Sequence, residues 1–578
     1  MNRTKIIATL GPKSETVDQI AALIESGVNV VRINLSHGNA ESYERLINNV
    51  KEARERVGTD TAILLDTRGP EIRIQEMDHP ILLSEGMEIV LTNKPETQSA
   101  TRIGTNYPGL ANDLREGSRI LLDDGKLTLL TVSIEDGDVY TRVEVGGQLS
   151  GRKRIALPDE NVNLPSLSDK DKHDIAFGVE QEVDFIAASF VRQADDVWAV
   201  RKIIEDNGGD QAIIAKIENR QGVNNLDEIL DAADGVMVAR GDLGVELPAE
   251  EVPIIQKHII CKANMLGKPV ITATQMLESM INAPSPTRAE ASDVANAIYD
   301  GTDAVMLSGE TAIGEFPNFA VQFLVKCAAK VENALNYEEI LATGLRHRKP
   351  TITDAISYAS CATAADLCAA AIITATSSGS TARMVARYRP KAPIIAICSS
   401  PSVIRKLQLI HGVKPLLCHF GSSMDEQLDR AIHVATQAKL IKNGDLVVIT
   451  AGMPLGITGT TNMLKVHTVA DICYRGQGIG NNHAQGKIRI IRTEEDWENL
   501  PENTIVVVTS TNETMVPHLS KVRGIIAEAA GLTSHAAIVG RELNIPVICN
   551  IPDAIMLFEN DQTVTIDGST GNISYGGT

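Results

Sequence analysis

Aromatic residues are scarce in this chain of 578 residues: eight Phe, nine Tyr and two Trp make up 3%. Its cores must therefore be aliphatic. Long apolar runs are missing too. No window approaches the roughly 18 uncharged apolar residues of a membrane span, and the short run in the N-terminal MNRTKIIATLGPKSE is broken by Lys13 and Glu15, unlike a signal peptide. Positive charge is in deficit, with a net charge of −20, which argues against a nucleic-acid scaffold or an anionic membrane as partner. The eight cysteines form no C-x-x-C pair, as in a reduced, cytoplasmic chain with ordinary buried thiols. With 43% hydrophobic and 22% charged residues, the chain suits large folded cores, and about 150 residues per domain suggests roughly four domains.

Short β-branched runs alternate with helical stretches, the pattern of a parallel α/β fold. Eight runs stand out: Thr4–Leu10, Asn29–Leu35, Thr61–Thr67, Asp184–Phe190, Ala212–Glu218, Gly235–Gly241, Pro269–Gln275 and Ala304–Glu310. Their near-continuous apolar character fits strands covered on both faces. Between them lie amphipathic segments such as Val17–Glu25, Ala40–Arg56, Asn225–Ala232 and Glu250–Leu266. This predicts a (β/α)8 barrel over residues 1–69 and 166–345, with its site at the strands' C-terminal ends. Residues 70–165 have alternating strand patterns and turn signals such as Asp123-Asp124-Gly125. They read as an inserted β-barrel domain able to act as a lid. A second α/β pattern, expected to form an open sheet, covers 346–475. The glycine-rich stretch Arg475–Asn482 reads as a linker, and 476–578 as a further small β/α domain.

The barrel runs end in chemistry. Arg32, Asn34, Ser36 and His37 close the second; Asp66 and Thr67 the third; Lys216 and Glu218 the fifth; Arg240 and Asp242 the sixth. Thr272 and Thr274 lie on the seventh, Ser308 and Glu310 at the end of the eighth. Strand alternation would place Lys216 with Glu218, and Arg240 with Asp242. A single rim charge is usually a solvated cap. Matched groups from six strands instead suggest two carboxylates for Mg²⁺ or Mn²⁺ beside cations for a phosphate or carboxylate substrate.

Several long motifs carry a resemblance: Thr4–Pro12 (TKIIATLGP), Arg32–Gly38 (RINLSHG), Leu65–Arg73 (LDTRGPEIR), Lys216–Asn219 (KIEN), Met237–Glu246 (MVARGDLGVE), Ile271–Ser279 (ITATQMLES), Pro286–Asn296 (PTRAEASDVAN) and Met306–Thr311 (MLSGET). In this order, over roughly residues 1–475, they resemble the pyruvate kinase family, and the C-terminal extension resembles one that some bacterial members carry. The resemblance implies phosphoryl transfer from phosphoenolpyruvate to ADP, then protonation of the enolate to pyruvate. It implies Glu218 and Asp242 as Mg²⁺ ligands, Lys216 and Arg32 as cations on the transferring phosphoryl, and Asn34, Ser36, Asp66 and Thr67 as a K⁺ site. Backbone amides at Ala239, Arg240, Gly241 and Asp242 would take the substrate carboxylate. Thr274 would help deliver the proton, with Ser308 and Glu310 in a water relay, while Arg73 and Lys153 would meet the nucleotide. Glu71 stands where K⁺-requiring members carry Glu, so a K⁺ requirement is expected, as is a homotetramer.

The chain departs from the family at Arg68, usually Lys, and in Arg152–Pro158 (RKRIALP), where relatives typically read KKGVNLP, so that Ala156 replaces Asn. Both lie on the nucleotide side. Thr376, Ser377, Ser378, Gly379, Ser380 and Thr381 form a loop between strand and helix, read either as a phosphate cradle for a sugar-phosphate or nucleotide effector or as an ordinary N-cap loop. Gly531–Val539 (GLTSHAAIV) resembles the phosphohistidine domain of phosphoenolpyruvate-utilising enzymes, with His535 at the phosphorylated position. Direct transfer to ADP needs no such carrier, so a structural or regulatory domain is expected. The competing reading is a metal-dependent keto-acid lyase or aldolase on the same barrel, which would need no nucleotide site. A silent phosphoenolpyruvate sensor acting through His535 should have lost Lys216 or a metal carboxylate, and neither is missing.

Overall fold

A computed structural model of the chain describes residues 2–575 apart from 37, 95–98, 100, 159, 161, 347–349, 419–423, 453–459, 470, 499, 502 and 530, and leaves the side chains of 424–426 and 471–473 aside. His37, at the end of the second run, lies outside the described residues. The eight expected strands are all present: β1 (Lys5–Thr9), β2 (Val30–Asn34), β3 (Ala62–Asp66), β4 (Phe185–Ala188), β5 (Ala212–Ile217), β6 (Gly235–Ala239), β7 (Val270–Ala273) and β8 (Ala304–Leu307). They close into a barrel of parallel pairs, each strand beside its sequence neighbours and β8 beside β1. Strand residues such as Ile7, Leu64, Ile214 and Ile271 fill the barrel, while Ile33, Ile63 and Val236 pack outward against the helices. Burial on both faces is why these runs lack polar alternation.

Helix starts follow side-chain chemistry. Reciprocal capping boxes join Thr16 to Gln19, Ser168 to Asp171 and Thr287 to Glu290, each satisfying amides that the first helical turn leaves unpaired. The chain leaves the barrel at Gly69, whose φ is 74°. A Cβ there would also lie 2.7 Å from the Phe190 ring, so both backbone and space demand glycine. The insertion forms a seven-stranded sheet and a two-stranded one around Ile89, Leu91, Ile120, Leu129 and Val143.

Further along, a five-stranded sheet has the order Val413–Leu417, Ile394–Cys398, Ala371–Ala375, Leu446–Gly452, Thr461–Thr468. By density of internal contacts the chain forms two compact units. One comprises Met1–Asp366, Ile372–Ala431 and Ile449–Lys465; the other comprises Leu367–Ala371, Ile432–Val448 and Val466–Thr578. The second contains an eight-stranded sheet that includes Asp471–Arg475 and Gln477–Ile479. The glycine-rich stretch is therefore β-structure, not a linker. A Cβ on Gly478 would sit 2.5 Å from the Gly568 carbonyl oxygen, so glycine serves close strand approach here. Among the described residues, no helix is long and apolar enough to cross a membrane.

Candidate active site

At the C-terminal mouth of the barrel, Lys216 is the centre of a buried ion network. Its Nζ lies 3.0 Å from Asp66 Oδ1 and 2.9 Å from Glu218 Oε1, and donates to Ser189 Oγ at 2.7 Å. Arg32 Nε donates to the other Asp66 oxygen at 2.7 Å and its Nη1 to Thr9 Oγ1 at 3.0 Å. Burial alone would lower the Lys216 pKa, but Asp66 and Glu218 outweigh it and hold the ammonium above its usual range. Burial likewise opposes charge on Asp66, and the two cations still keep it below the ordinary carboxylate range. The Glu218 carboxyl is pushed up to about 7, first by burial and further by the charge of Asp242, against the pull of Lys216. Its second oxygen accepts from the Phe190 amide at 2.6 Å.

The expected oxygen set for a monovalent ion comes from adjacent strand ends, with Asn34 paired in register with Asp66. Asn34 Oδ1 accepts from the Ser36 amide at 3.0 Å, and Thr67 Oγ1 donates to the Ala187 carbonyl at 3.2 Å. Ser189, at the end of β4, donates to the Thr67 carbonyl at 2.6 Å and so ties this set to Lys216. The motif reading passed over Ser189. Its only signal was its place at the end of a barrel run.

Two expectations need correction. Arg240 and Asp242 do not share a strand face, because β6 stops at Ala239 and Arg240–Glu246 is helical. Nor is the Arg240 guanidinium available to a phosphate. Its Nη1 donates to both oxygens of Asp293, at 2.8 and 2.7 Å, and its Nη2 to the carbonyls of Thr274 and Gln275, at 2.7 and 3.1 Å. Arg240 is thus a clamp on the loop after β7. That loop is strained: Thr274 and Gln275 have φ of 65° and 55°, the left-handed region that a β-branched residue avoids. The Thr274 hydroxyl accepts from the Gly241 amide at 2.8 Å, so the expected carboxylate-binding amides and Thr274 meet. Asp293 was quoted in a motif but given no role.

Glu310, the expected relay acid, is buried and accepts from the amides of Leu277 and Ser308 at 3.0 and 2.7 Å. Its pKa is raised, chiefly by burial. On the lid, Arg73 is folded onto Glu71, with Nη2 2.6 Å from Oε2, and donates to the Arg152 carbonyl at 2.7 Å. Arg68 reaches the same Glu71 oxygen at 3.4 Å. Lys153 lies 2.6 Å from Asp123. Both expected nucleotide contacts therefore have carboxylate partners. Arg154 crosses from lid to barrel and pairs with Asp242.

In the effector loop Gly379 has φ 78° ahead of the helix Ser380–Ala386. Ser377 is exposed, Ser378 and Ser380 are partly exposed, and Thr376 is buried. The buried Thr381 hydroxyl shares a hydrogen bond with Thr461 at 2.9 Å. His535 is the first residue of the helix His535–Leu543, and its Nδ1 shares a 2.8 Å hydrogen bond with Thr511 Oγ1.

A closed barrel with an inserted β-domain, and a buried ammonium between carboxylates at its mouth, make a (β/α)8-barrel enzyme site suited to an anionic substrate. The pyruvate kinase barrel-domain model matches residues 1–321, the pyruvate kinase alpha/beta-domain model 354–467, and a model of the mobile domain of PEP-utilising enzymes 500–571. The chain is 50% identical over 579 residues to pyruvate kinase of Geobacillus stearothermophilus, covering 99% of both chains. It is 46% identical to that of Bacillus licheniformis, covering 100% of this chain and 99% of the relative. A crystal structure of a pyruvate kinase from Cryptosporidium parvum superimposes with a TM-score of 0.78 at 38% identity, covering 81% of this chain and 96% of the other. The chain belongs to the pyruvate kinase family. It moves the phosphoryl group of phosphoenolpyruvate to ADP, giving pyruvate and ATP, and the keto-acid lyase reading is not favoured.

Proposed function

We propose that this transfer is divided among the mouth residues as follows, the carrying observation being the Lys216 network with Asp66, Glu218 and Ser189. Lys216 and Arg32 face the transferring phosphoryl and stabilise the charge spread over its oxygens; such preorganised positioning supplies most of the catalysis in a loose phosphoryl transition state. Asp66 and Ser189 hold the ammonium in place, so little reorganisation accompanies transfer. The amides of Ala239, Arg240, Gly241 and Asp242 receive the substrate carboxylate. Thr274, held by the Arg240 clamp, helps deliver the proton to the enolate, with Ser308 and Glu310 in the relay.

The donor set fits a divalent cation. Glu218 is raised in part by the charge of Asp242, a repulsion that a shared cation would relieve. Among the described residues no three His, Cys, Asp or Glu side chains gather into a metal-holding group. Mg²⁺ or Mn²⁺ would then be held by Glu218 and Asp242, with oxygens of the substrate completing its shell. When bound, it supplies Lewis-acid stabilisation of the enolate and phosphoryl oxygens. Asn34, Ser36, Asp66 and Thr67 offer hard oxygens from neighbouring strand ends, suited to K⁺.

We read the chain as four parts: a barrel (1–69 and 166–345), a lid (70–165) bearing the nucleotide contacts Arg73 and Lys153, an α/β domain (346–475), and a C-terminal domain (476–578). The loop Thr376–Thr381 is the effector candidate for a sugar phosphate or nucleotide. The C-terminal domain is structural or regulatory, with His535 able to carry a phosphate only if a donor outside the main reaction exists. The enzyme is taken as a cytoplasmic homotetramer. Turnover of phosphoenolpyruvate with Mg²⁺, with and without ADP and with and without K⁺, tests the reading. Pyruvate formation should need ADP and both cations; formation without ADP would favour a lyase, and turnover indifferent to K⁺ would remove the monovalent site.

A further inference from the structure

The lid strand Arg154–Ala156 is held by pairing with Ile72–Arg73 on one side and Leu121–Leu122 on the other. From it the Arg154 side chain, 11% exposed, reaches the barrel mouth. It pairs with Asp242, lies 3.7 Å from Glu246 Oε1, and rests over the Phe190 ring, 4.7 Å from its centroid. Phe190 is the residue whose amide holds Glu218. Among the described residues, Arg154 is the only cation within ion-pair distance of Asp242, because Lys216 is committed to Asp66, Glu218 and Ser189. The direct ion pair of the mouth's second carboxylate thus comes from the lid, while Lys216 on the barrel attracts it only from beyond contact distance. Beside Arg154 is a cavity of about 260 Å³, walled also by Glu71, Phe190, Arg192 and Glu246, which leaves the guanidinium room to move aside.

We propose that Arg154 is a positioning residue that competes with the divalent cation for Asp242: it covers the carboxylate while no cation is bound and yields it on loading, so that metal binding and the seating of the lid are coupled. This rests on the reading of Asp242 and Glu218 as metal ligands. A guanidinium and a divalent cation cannot both neutralise one carboxylate at full strength, and a charge-assisted contact in a partly desolvated cleft is strong enough to weigh against the ion. The stacked ring and Glu246 retain the side chain in the cleft after release.

Mn²⁺ serves as the probe, with free ion counted by electron paramagnetic resonance for the full chain without substrates. Arg154→Met should bind Mn²⁺ about tenfold more tightly than wild type. In wild type, Mn²⁺ should raise amide hydrogen exchange over residues 152–157; in Arg154→Met that exchange should already be high and unresponsive. Glu218→Gln and Asp242→Asn serve as controls that should each weaken Mn²⁺ binding. Equal or weaker Mn²⁺ binding by a folded Arg154→Met, with both controls weakened, overturns the competition and leaves the metal site standing. Wild-type-like Mn²⁺ binding by both controls removes the metal assignment and the inference with it. Should Arg154→Met fail to fold, the wild-type exchange decides: a rise supports the competition, and no change or a fall overturns it.

Discussion

Replacing Asp293 by Asn tests whether the β7 loop is a strained element held for proton delivery. The Arg240 guanidinium would lose the carboxylate charge facing its Nη1 while keeping its bonds to the Thr274 and Gln275 carbonyls. Thr274 and Gln275 sit at φ of 65° and 55°, and such conformations cost about 1–3 kcal/mol each unless the surroundings over-determine them. Asp293 is 38% exposed, so the ion pair itself is screened, and most of the effect should come from relaxation of the loop. If relaxing Thr274 forfeits that ~1–3 kcal/mol of preorganisation, kcat falls by about fivefold to 160-fold. The KM for ADP should hardly change, because the clamp does not touch the lid. Solvent deuterium exchange into the methyl group of pyruvate reads proton transfer apart from phosphoryl transfer, and should fall by the same factor. Normal exchange with lowered kcat would refute the link between the clamp and the proton.

Lys5 predicts a pH signature. Its Nζ donates to the Val413 carbonyl at 2.7 Å, and burial, helped by Lys414 and opposed by Glu332 and Asp303, lowers its pKa from 10.5 to about 7; His411, which also feels Arg389 and Arg3, is a titratable neighbour. The unfolded chain holds this proton more tightly, so the Lys5 contribution to stability rises with pH between 7 and 10.5, by up to about 1.4 kcal/mol per unit, and is lost as pH falls through that window. Urea midpoints for wild type and Lys5→Met should therefore diverge in favour of wild type from pH 7 to 9; parallel profiles would contradict this. Gly69→Ala should cost about 1–3 kcal/mol in urea unfolding and lower turnover, since it combines a left-handed φ with a clash against the Phe190 ring. An unaffected variant would show that the hinge tolerates another backbone path.

Much of the barrel was legible because each strand is a short apolar run ending in polar residues, as at Ala62–Asp66. The Lys216–Glu218 pairing could be read from period two alone. Arg240 was misread because the period changes from two to 3.6 at Ala239, a boundary the apolar run does not mark. Ser189 owes its role to parallel register, which sets the end of β4 beside those of β3 and β5. Arg154 meets Asp242 across 88 positions of sequence, a contact no local pattern encodes. Gly476 and Gly478 looked flexible because a glycine that admits a neighbouring strand resembles one in a linker.

The most direct measurement is turnover of Lys216→Met with phosphoenolpyruvate, ADP, Mg²⁺ and K⁺, taken with circular dichroism to show an intact fold. Loss of this preorganised cation should lower kcat by at least about a hundredfold. A folded variant that keeps a tenth or more of wild-type turnover would contradict the claim that this ammonium carries the transferring phosphoryl.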